Sequence, residues 1–140
     1  MAIRMKNDKL PIGYYLKKAD NLLTEGINKI LIELEIDRLK WQLLHSINQN
    51  RNNDKSEVVS ILKEFAGEKV ISAAIDDLIK RGLVVSANGT NLALSQKGEE
   101  LHTRCLQRQK EFRQKATENV TQEEYIHTIE TLEKIIGNLQ

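Results

Sequence analysis

The sequence predicts a mostly α-helical protein that carries one small β-hairpin. Apolar residues recur at spacings of three and four over most of the chain, which is the pattern of amphipathic helices. The chain holds one proline and 7 glycines in 140 residues, so regular structure is expected to dominate. One Asn88-Gly89 pair lies between two β-prone runs, and this arrangement is the strongest short-range signal of a hairpin.

The length and composition indicate one ordinary globular domain with a substantial core. Hydrophobic residues make up 40% of the chain and charged residues 29%, which excludes intrinsic disorder. No stretch approaches the roughly 18 apolar residues of a membrane helix, and no apolar run follows the basic first residues, so we expect neither a membrane span nor a secretory signal. The single cysteine fits a reducing compartment, and a cytoplasmic location is therefore expected.

The charge is divided unevenly along the chain, although the formal net charge is only +1. Residues 1–20 carry five basic and two acidic groups, and residues 96–116 carry six basic and three acidic groups. Residues 117–140, in contrast, carry one basic and five acidic groups. This distribution is compatible with a nucleic-acid partner but does not require one.

Two helices are predicted in the N-terminal part of the chain. The first covers residues 11–35, where Pro11 suits the first helical turn. Its apolar positions are Leu16, Ala19, Leu22, Leu23, Ile27, Ile30, Leu31 and Leu34. Asp37 is expected to cap the second helix, which ends in the polar loop 48–53.

Two shorter helices follow that loop. Asp54 and Glu57 have the spacing of a capping box, so they are expected to open the third helix. Its predicted inward residues are Val58, Ile61, Leu62 and Phe65. Gly67 separates it from a fourth helix over residues 68–81, with the predicted buried residues Val70, Ile71, Ala74, Ile75, Leu78 and Ile79. Gly82 is the expected helix stop, with a left-handed conformation.

The hairpin and two further helices complete the chain. Residues 83–87 and 90–94 form the predicted strands, and Ser95 is expected to cap a fifth helix that runs to about residue 116. Its predicted inward residues are Leu101, Cys105, Leu106 and Phe112. A second capping box, 121–124, opens the last helix, whose apolar side carries Ile126, Ile129, Leu132, Ile136 and Leu139.

This order of elements predicts a winged helix-turn-helix, which consists of three helices and a small β-hairpin wing. The lobe covers residues 36–95, and the long terminal helices of residues 1–35 and 96–140 complete one continuous domain. Apolar residues on the terminal helices lie outside the lobe and need a partner, which predicts a homodimer. They are Leu16, Leu23, Ile27, Leu101, Ile129, Leu132 and Ile136.

The fourth helix carries the candidate DNA-reading residues, because the second short helix of such a unit offers one face to the major groove. Lys69 suits a phosphate or a guanine edge, Ser72 suits several base edges, and Ala73 suits a thymine methyl group. An ordinary solvated face is an equally good interpretation, since Asp76 and Asp77 repel phosphates.

Other basic residues are expected to supply phosphate contacts. Lys55 and Ser56 lie at the N-terminus of the third helix, where anions are favoured. Arg51 lies in the loop before that helix, and Lys80 and Arg81 lie beside the base of the wing. A mobile, solvated loop is the competing interpretation for Arg51.

These segments resemble the MarR family of bacterial transcription regulators over nearly the whole chain. Residues 36–44 (IDRLKWQLL) are similar to the start of the family's second helix, and residues 75–84 (IDDLIKRGLV) resemble its recognition helix running into the wing. Residues 94–98 (LSQKG) resemble the end of the wing, with serine where threonine is usual. The resemblance implies a dimer of the first, fifth and sixth helices. It also implies binding to a pseudo-palindromic operator in double-stranded DNA, often with release by a small effector.

The wing departs from the pattern of that family. MarR-like wings commonly carry an Asp and Arg pair, with the arginine in the minor groove. Residues 84–94 of this chain contain no Arg, Lys or Asp. This departure supports an alternative function, a winged-helix protein-interaction module that has lost DNA binding.

A pocket for a small aromatic effector is predicted between the first two helices and the DNA-binding lobe. Its candidate residues are Tyr14, Tyr15, Trp41 and His45. Core packing is the preferred alternative for Trp41, because aromatic residues at helical spacing usually fill interiors.

No catalytic or metal site is predicted. The sequence contains no nucleophile motif and no paired-carboxylate constellation, so an enzyme is not expected. Cys105 is interpreted as a small buried hydrophobic residue. His45, His102 and His127 are scattered without a further ligand at metal spacing, so neither a metal nor another cofactor is expected.

Overall fold

The computed structural model describes residues 9–50 and 53–140 of the chain. In this part of the chain the elements are α1 (Ile12–Glu33), α2 (Arg38–Gln49), α3 (Lys55–Leu62), α4 (Glu68–Lys80), β1 (Val84–Ala87), β2 (Asn91–Leu94), α5 (Gln96–Ala116) and α6 (Gln122–Leu139). The predicted fold class, mostly α-helical with a two-stranded wing, is confirmed. None of the described helices has the length and apolar character needed to cross a membrane.

The main hydrophobic core lies in the central lobe. Its fully buried side chains include Leu43, Leu44, Val58, Ile71, Ile75, Leu78, Val84 and Leu92. The terminal helices add Leu31 from α1 and Cys105 from α5, which confirms the interpretation of Cys105 as a buried residue. The core therefore joins α2, α3, α4 and the hairpin into one unit and holds the ends of α1 and α5 against it.

Three of the four predicted helix caps are present. The carboxylate of Asp37 accepts a 2.8 Å hydrogen bond from the Lys40 amide. Ser95 caps α5, and Thr121 and Glu124 form the reciprocal bonds of a capping box at α6. The predicted capping box of α3 is wrong. Here the carboxylate of Asp54 makes no cap bond and instead accepts a 2.6 Å hydrogen bond from the Ser56 hydroxyl group.

Five residues that were predicted to be buried are exposed: Ile61, Phe65, Val70, Ile79 and Leu106. α3 has only eight residues, of which Val58 and Leu62 are buried and Val59 packs partly against the core. Ile61 lies on the outer side of α3, and Phe65 and Val70, in and just after the following turn, are exposed. The helical spacing was correct, but the buried stripe is narrower than predicted.

The wing is an antiparallel hairpin in which Val84 pairs with Leu94 and Ala87 with Asn91. Asn88 and Gly89 both have positive φ angles, 54° and 77°, as expected for an Asn-Gly turn that matches the twist of the strands. Gly82 has a φ angle of 75°, which confirms the predicted left-handed helix stop. The hairpin thus follows α4 directly.

The terminal helices are much less buried. α6 has no buried residue, and α1 buries only Ile30 and Leu31. α5 is better anchored. Its first turn packs so closely that a Cβ atom on Gly98 would overlap the carbonyl oxygen of Leu83.

Candidate nucleic-acid interface

Helix α4 has two clearly different faces. Ile71, Ala74, Ile75 and Leu78 are buried in the core. On the opposite side Lys69, Ala73 and Asp76 are exposed and Ser72 is partly exposed, and together with Gly67, Glu68 and Val70 they line a shallow groove. The structure therefore brings the three predicted reading residues, Lys69, Ser72 and Ala73, to one solvent-facing surface.

Asp77, near the C-terminal end of α4, forms ion pairs with two basic residues. Its Oδ2 atom lies 2.9 Å from Nζ of Lys40 and 3.6 Å from a guanidinium nitrogen of Arg81. The hydrogen bond from Lys40 and the two positive charges hold the pKa of Asp77 below its usual value. Arg81, a predicted phosphate contact, is thus engaged by a carboxylate of its own helix.

Lys55 and Ser56 also have partners within the chain. Nζ of Lys55 lies 3.9 Å from a carboxylate oxygen of Asp76, and both side chains are exposed enough to part easily. The Lys55 amide donates a 2.8 Å hydrogen bond to the carbonyl oxygen of Thr90 in the wing. The hydroxyl group of Ser56 donates to Asp54. The N-terminus of α3 is therefore tied to the wing, and its amides are partly used within the chain.

Two of the basic residues that were predicted to contact DNA have no ion-pair partner in the described part of the chain. Within residues 9–50 and 53–140, neither Lys69 nor Lys80 lies within ion-pair distance of a carboxylate. They lie at opposite ends of α4, in its first and last turns. Arg51 lies outside the described residues. Lys69 and Lys80 are thus the most available cations of the predicted set.

Asn53, in the polar loop before α3, has a structural role that was not predicted from the sequence. Its side chain is buried and donates hydrogen bonds to the carbonyl oxygens of Ile47 (2.9 Å) and Asn50 (2.8 Å). Its amide donates to Oδ1 of Asn91 at 3.0 Å, and its carbonyl oxygen accepts from the Leu92 amide at 2.7 Å. Asn53 therefore ties the end of α2 to the wing and is not free to contact phosphate through its side chain.

The four predicted effector-pocket residues fall into two groups. Tyr14 and Tyr15 contact each other edge to face in the first turn of α1, with ring centroids 5.2 Å apart. Trp41 packs against the core and stacks on His45. Tyr15 lies 16 residues before the buried Leu31 of the same helix, or about 24 Å along its axis. Within one chain the two tyrosines therefore lie at the far end of α1 from its buried part, and apart from Trp41 and His45.

His102 was missed as a neighbour of His45. Nδ1 of His45 lies 2.9 Å from Nε2 of His102, although 57 residues separate them in the sequence. One signal was available, because His102 is three residues before the buried Cys105 and therefore shares its helical face. Among the described residues no group of three or more potential metal ligands is present.

A helix-turn-helix with one solvent-facing side on its second helix, followed directly by a β-hairpin, defines a winged-helix protein. Comparison with solved structures narrows this class, and the chain has a MarR-like winged-helix fold. The sequence matches no protein-family profile and no curated protein.

Three solved structures illustrate the similarity. A MarR family protein from Mycobacterium tuberculosis, in complex with DNA, superposes with a TM-score of 0.69 at 17% identity, covering 91% of this chain and 98% of that chain. A MepR mutant from S. aureus, bound to an oligodeoxyribonucleotide, gives 0.70 at 17% identity, with 94% and 100% covered. The reduced form of MarR from E. coli gives 0.68 at 20% identity, with 92% and 96% covered.

Proposed function

We propose that this protein is a dimeric, DNA-binding transcription regulator that recognises a pseudo-palindromic operator. The observation that carries the proposal is the solvent-facing side of α4, where Lys69, Ser72 and Ala73 lie together above a fully buried opposite face. Two solved structures with the same fold contain DNA, which supports this role. The proposed role is regulatory and not catalytic. Because it is exerted on DNA, we also propose that the protein acts in the cytoplasm.

The distribution of charge suggests how the duplex is bound. Lys69 supplies a positive charge at the start of the recognition helix, while Ser72 and Ala73 are the small residues that allow close approach to base edges. Lys55 and Arg81 are held near carboxylates in the free protein. We infer that phosphates compete with Asp76 and Asp77 for these cations, so part of the electrostatic gain offsets broken ion pairs.

The proposed dimer uses the apolar surfaces of the terminal helices. Leu16 and Leu23 of α1 and Ile126, Ile129 and Ile136 of α6 are all at least 40% exposed in the single chain. The segment 96–116 is net basic and the segment 117–140 is net acidic, so these parts of two copies attract each other. An obligate interface of this kind buries more than about 2,000 Å².

Release by a small aromatic effector is also part of the proposal, with Tyr14, Tyr15, Trp41 and His45 as candidate contacts. In one chain the tyrosine pair lies apart from Trp41, so Trp41 and His45 are the better-placed pair. Titration with benzoate tests this point. A saturable change in Trp41 fluorescence together with weaker DNA binding is expected, and no change in either would exclude this class of effector.

Lys69→Glu provides the direct test of DNA binding. Anisotropy of a labelled mixed-sequence duplex is measured at several salt concentrations for the wild type, for Lys69→Glu and for the wing-tip variants Asn88→Ala and Thr90→Ala. Lys69→Glu is expected to weaken binding strongly, whereas each wing-tip change costs below about 1 kcal/mol, because neutral exposed contacts contribute little. Lys134→Glu, on the exposed side of α6, is the matched charge control.

The salt dependence tests the contribution of the loop before α3. Each neutralised phosphate steepens the plot of log affinity against log salt by roughly 0.9. The double variant Arg51→Ala, Lys55→Ala is expected to reduce this slope. An unchanged slope removes both residues from the interface.

A second candidate function, a protein-interaction module, is favoured by one observation. Ile61, Phe65 and Val70 are each more than half exposed around the turn between α3 and α4, and the wing carries no charged residue. If the wild-type dimer binds no duplex even at low salt, this second function replaces the first.

A further inference from the structure

A hydrogen bond between two histidines links the winged lobe to the long helix α5. His45 lies on α2 and His102 on α5, and their Nδ1 and Nε2 atoms are 2.9 Å apart. α2 contacts α3, α4 and β2 within the lobe, whereas α5 runs from the lobe along α1. α2 also packs directly on α5, so this bond is one part of the contact between the lobe and α5.

Trp41 completes a cluster of three rings. Its ring centroid lies 5.4 Å from that of His45 and 5.0 Å from that of His102, with interplanar angles of 26° and 20°. The two imidazoles are themselves stacked at 5.2 Å and 12°. His102 is 3% exposed and His45 is partly exposed. The three rings are therefore closely packed, and His45 is the more solvent-exposed of the two histidines.

The chemistry of this bond depends on how many protons the pair carries. In the neutral pair one ring donates its N–H group and the other accepts. A first proton, on the outer nitrogen of the donating ring, leaves the bond intact because the cation still donates. A second proton must occupy the accepting nitrogen, so that both rings become donors and two cations face each other.

We propose that the His45–His102 pair is a proton-sensitive link between α2 of the winged lobe and α5, and that its double protonation weakens this contact and lowers operator affinity. The effect on DNA rests on the proposed function, whereas the protonation of the two rings does not depend on it. Double protonation removes the one side-chain hydrogen bond described between α2 and α5 within residues 9–50 and 53–140.

The ion pairs on the elements around the two histidines join other residues and do not include His45 or His102. Glu33 of α1 pairs with Arg108 of α5, and Lys40 of α2 pairs with Asp77 of α4. β2 brings no ionisable side chain, and Lys55 of α3 pairs with Asp76. Burial, followed by the charge of His45, lowers the pKa of His102. The second protonation is therefore expected below about pH 6.5, the usual imidazole value.

The first test needs no DNA. Trp41 is the only tryptophan of the chain, so its fluorescence reports on the cluster directly. Wild-type emission is expected to change with a midpoint below about pH 6.5. The variant His102→Gln loses this transition, and His127→Gln, on the exposed α6, retains it. If His102→Gln does not fold, His45→Gln at the more exposed position replaces it. A transition that survives both changes, or a wild-type signal without one, overturns the proposal.

The second test connects the link to DNA. Duplex affinity is measured at pH 7.5 and pH 5.5 at constant ionic strength. The wild type and His127→Gln are expected to lose about fivefold in affinity, at the lower end of typical allosteric coupling, and His102→Gln less than about twofold. Equal pH dependence in all three overturns the link to operator affinity. If no variant binds DNA at either pH, the proposed function fails, and the fluorescence titration alone decides whether the histidine pair is proton-sensitive.

Discussion

In the winged lobe α2 and α4 bury Leu43, Leu44, Ile71 and Ile75 completely, whereas α6 buries none of its 18 residues. Both regions have equally regular apolar spacing in the sequence. The lobe satisfies this spacing within one chain because its short helices and hairpin enclose a common centre. The terminal helices are long and lie at the edge, so much of their apolar side stays exposed in the single chain. The same pattern thus corresponds to a core in one region and, in the other, to the surface that the proposed dimer would cover.

The largest effect on stability is expected in the lobe. Leu44→Ala removes a fully buried side chain, which costs about 2–5 kcal/mol through lost burial and the remaining cavity. Urea unfolding measures the difference. Leu139→Ala, at a position that is 82% exposed, is the control and should change stability by less than about 0.5 kcal/mol. Similar losses in both variants would mean that the two regions do not differ as described.

A charge placed on the terminal helices should act on assembly instead of folding. Ile129→Asp introduces a carboxylate into the proposed interface, where an unpaired charge costs several kcal/mol. Sedimentation at micromolar concentration should show a dimer for the wild type and a monomer for the variant, with the helical content of the lobe retained. A wild-type monomer under these conditions would contradict the proposed dimer.

Two glycines allow a sharper comparison between the regions. Gly98→Ala forces a methyl group against the Leu83 carbonyl oxygen where α5 meets the lobe, and overpacking of this kind typically costs 1–3 kcal/mol. Gly137→Ala on α6 meets open space and should be neutral or stabilising by up to about 1 kcal/mol. Thermal unfolding of both variants measures the difference. Opposite signs are expected, and a destabilising Gly137→Ala would show that α6 is packed there by a partner.

The smallest expected effects concern helix capping. Thr121→Ala removes the cap of α6 and should cost about 1 kcal/mol. Asp54→Ala removes no cap, because that carboxylate bonds to Ser56, so its loss should be smaller. Denaturation of both variants compares them. A larger loss for Asp54→Ala would indicate that the Lys55 and Asp76 region depends on Asp54 for another reason.

Much of the fold could be predicted from sequence. Element order, the caps at Asp37, Ser95 and Thr121, and the turns at Gly82 and Asn88 all depend on groups within a few residues of each other. The solvent-facing position of Lys69, Ser72 and Ala73 on α4 was predicted for the same reason. The pattern could not show how wide each buried stripe is, because this depends on the distance to neighbouring elements, and Ile61, Phe65, Val70, Ile79 and Leu106 were therefore misplaced.

The sequence by itself determined the helices, the hairpin and the residues that each helix presents on each face, because helical and strand periodicity are local properties of the chain. The tertiary structure alone decided which charges meet and which histidines touch. Asp77 and Lys40 are separated by a whole helix-turn-helix, and His45 and His102 by 57 residues. Such pairs form only when packed elements bring distant side chains within hydrogen-bond distance. For this reason the ion pairs of Lys40 with Asp77 and of Lys55 with Asp76, and the contact between His45 and His102, were visible only in three dimensions.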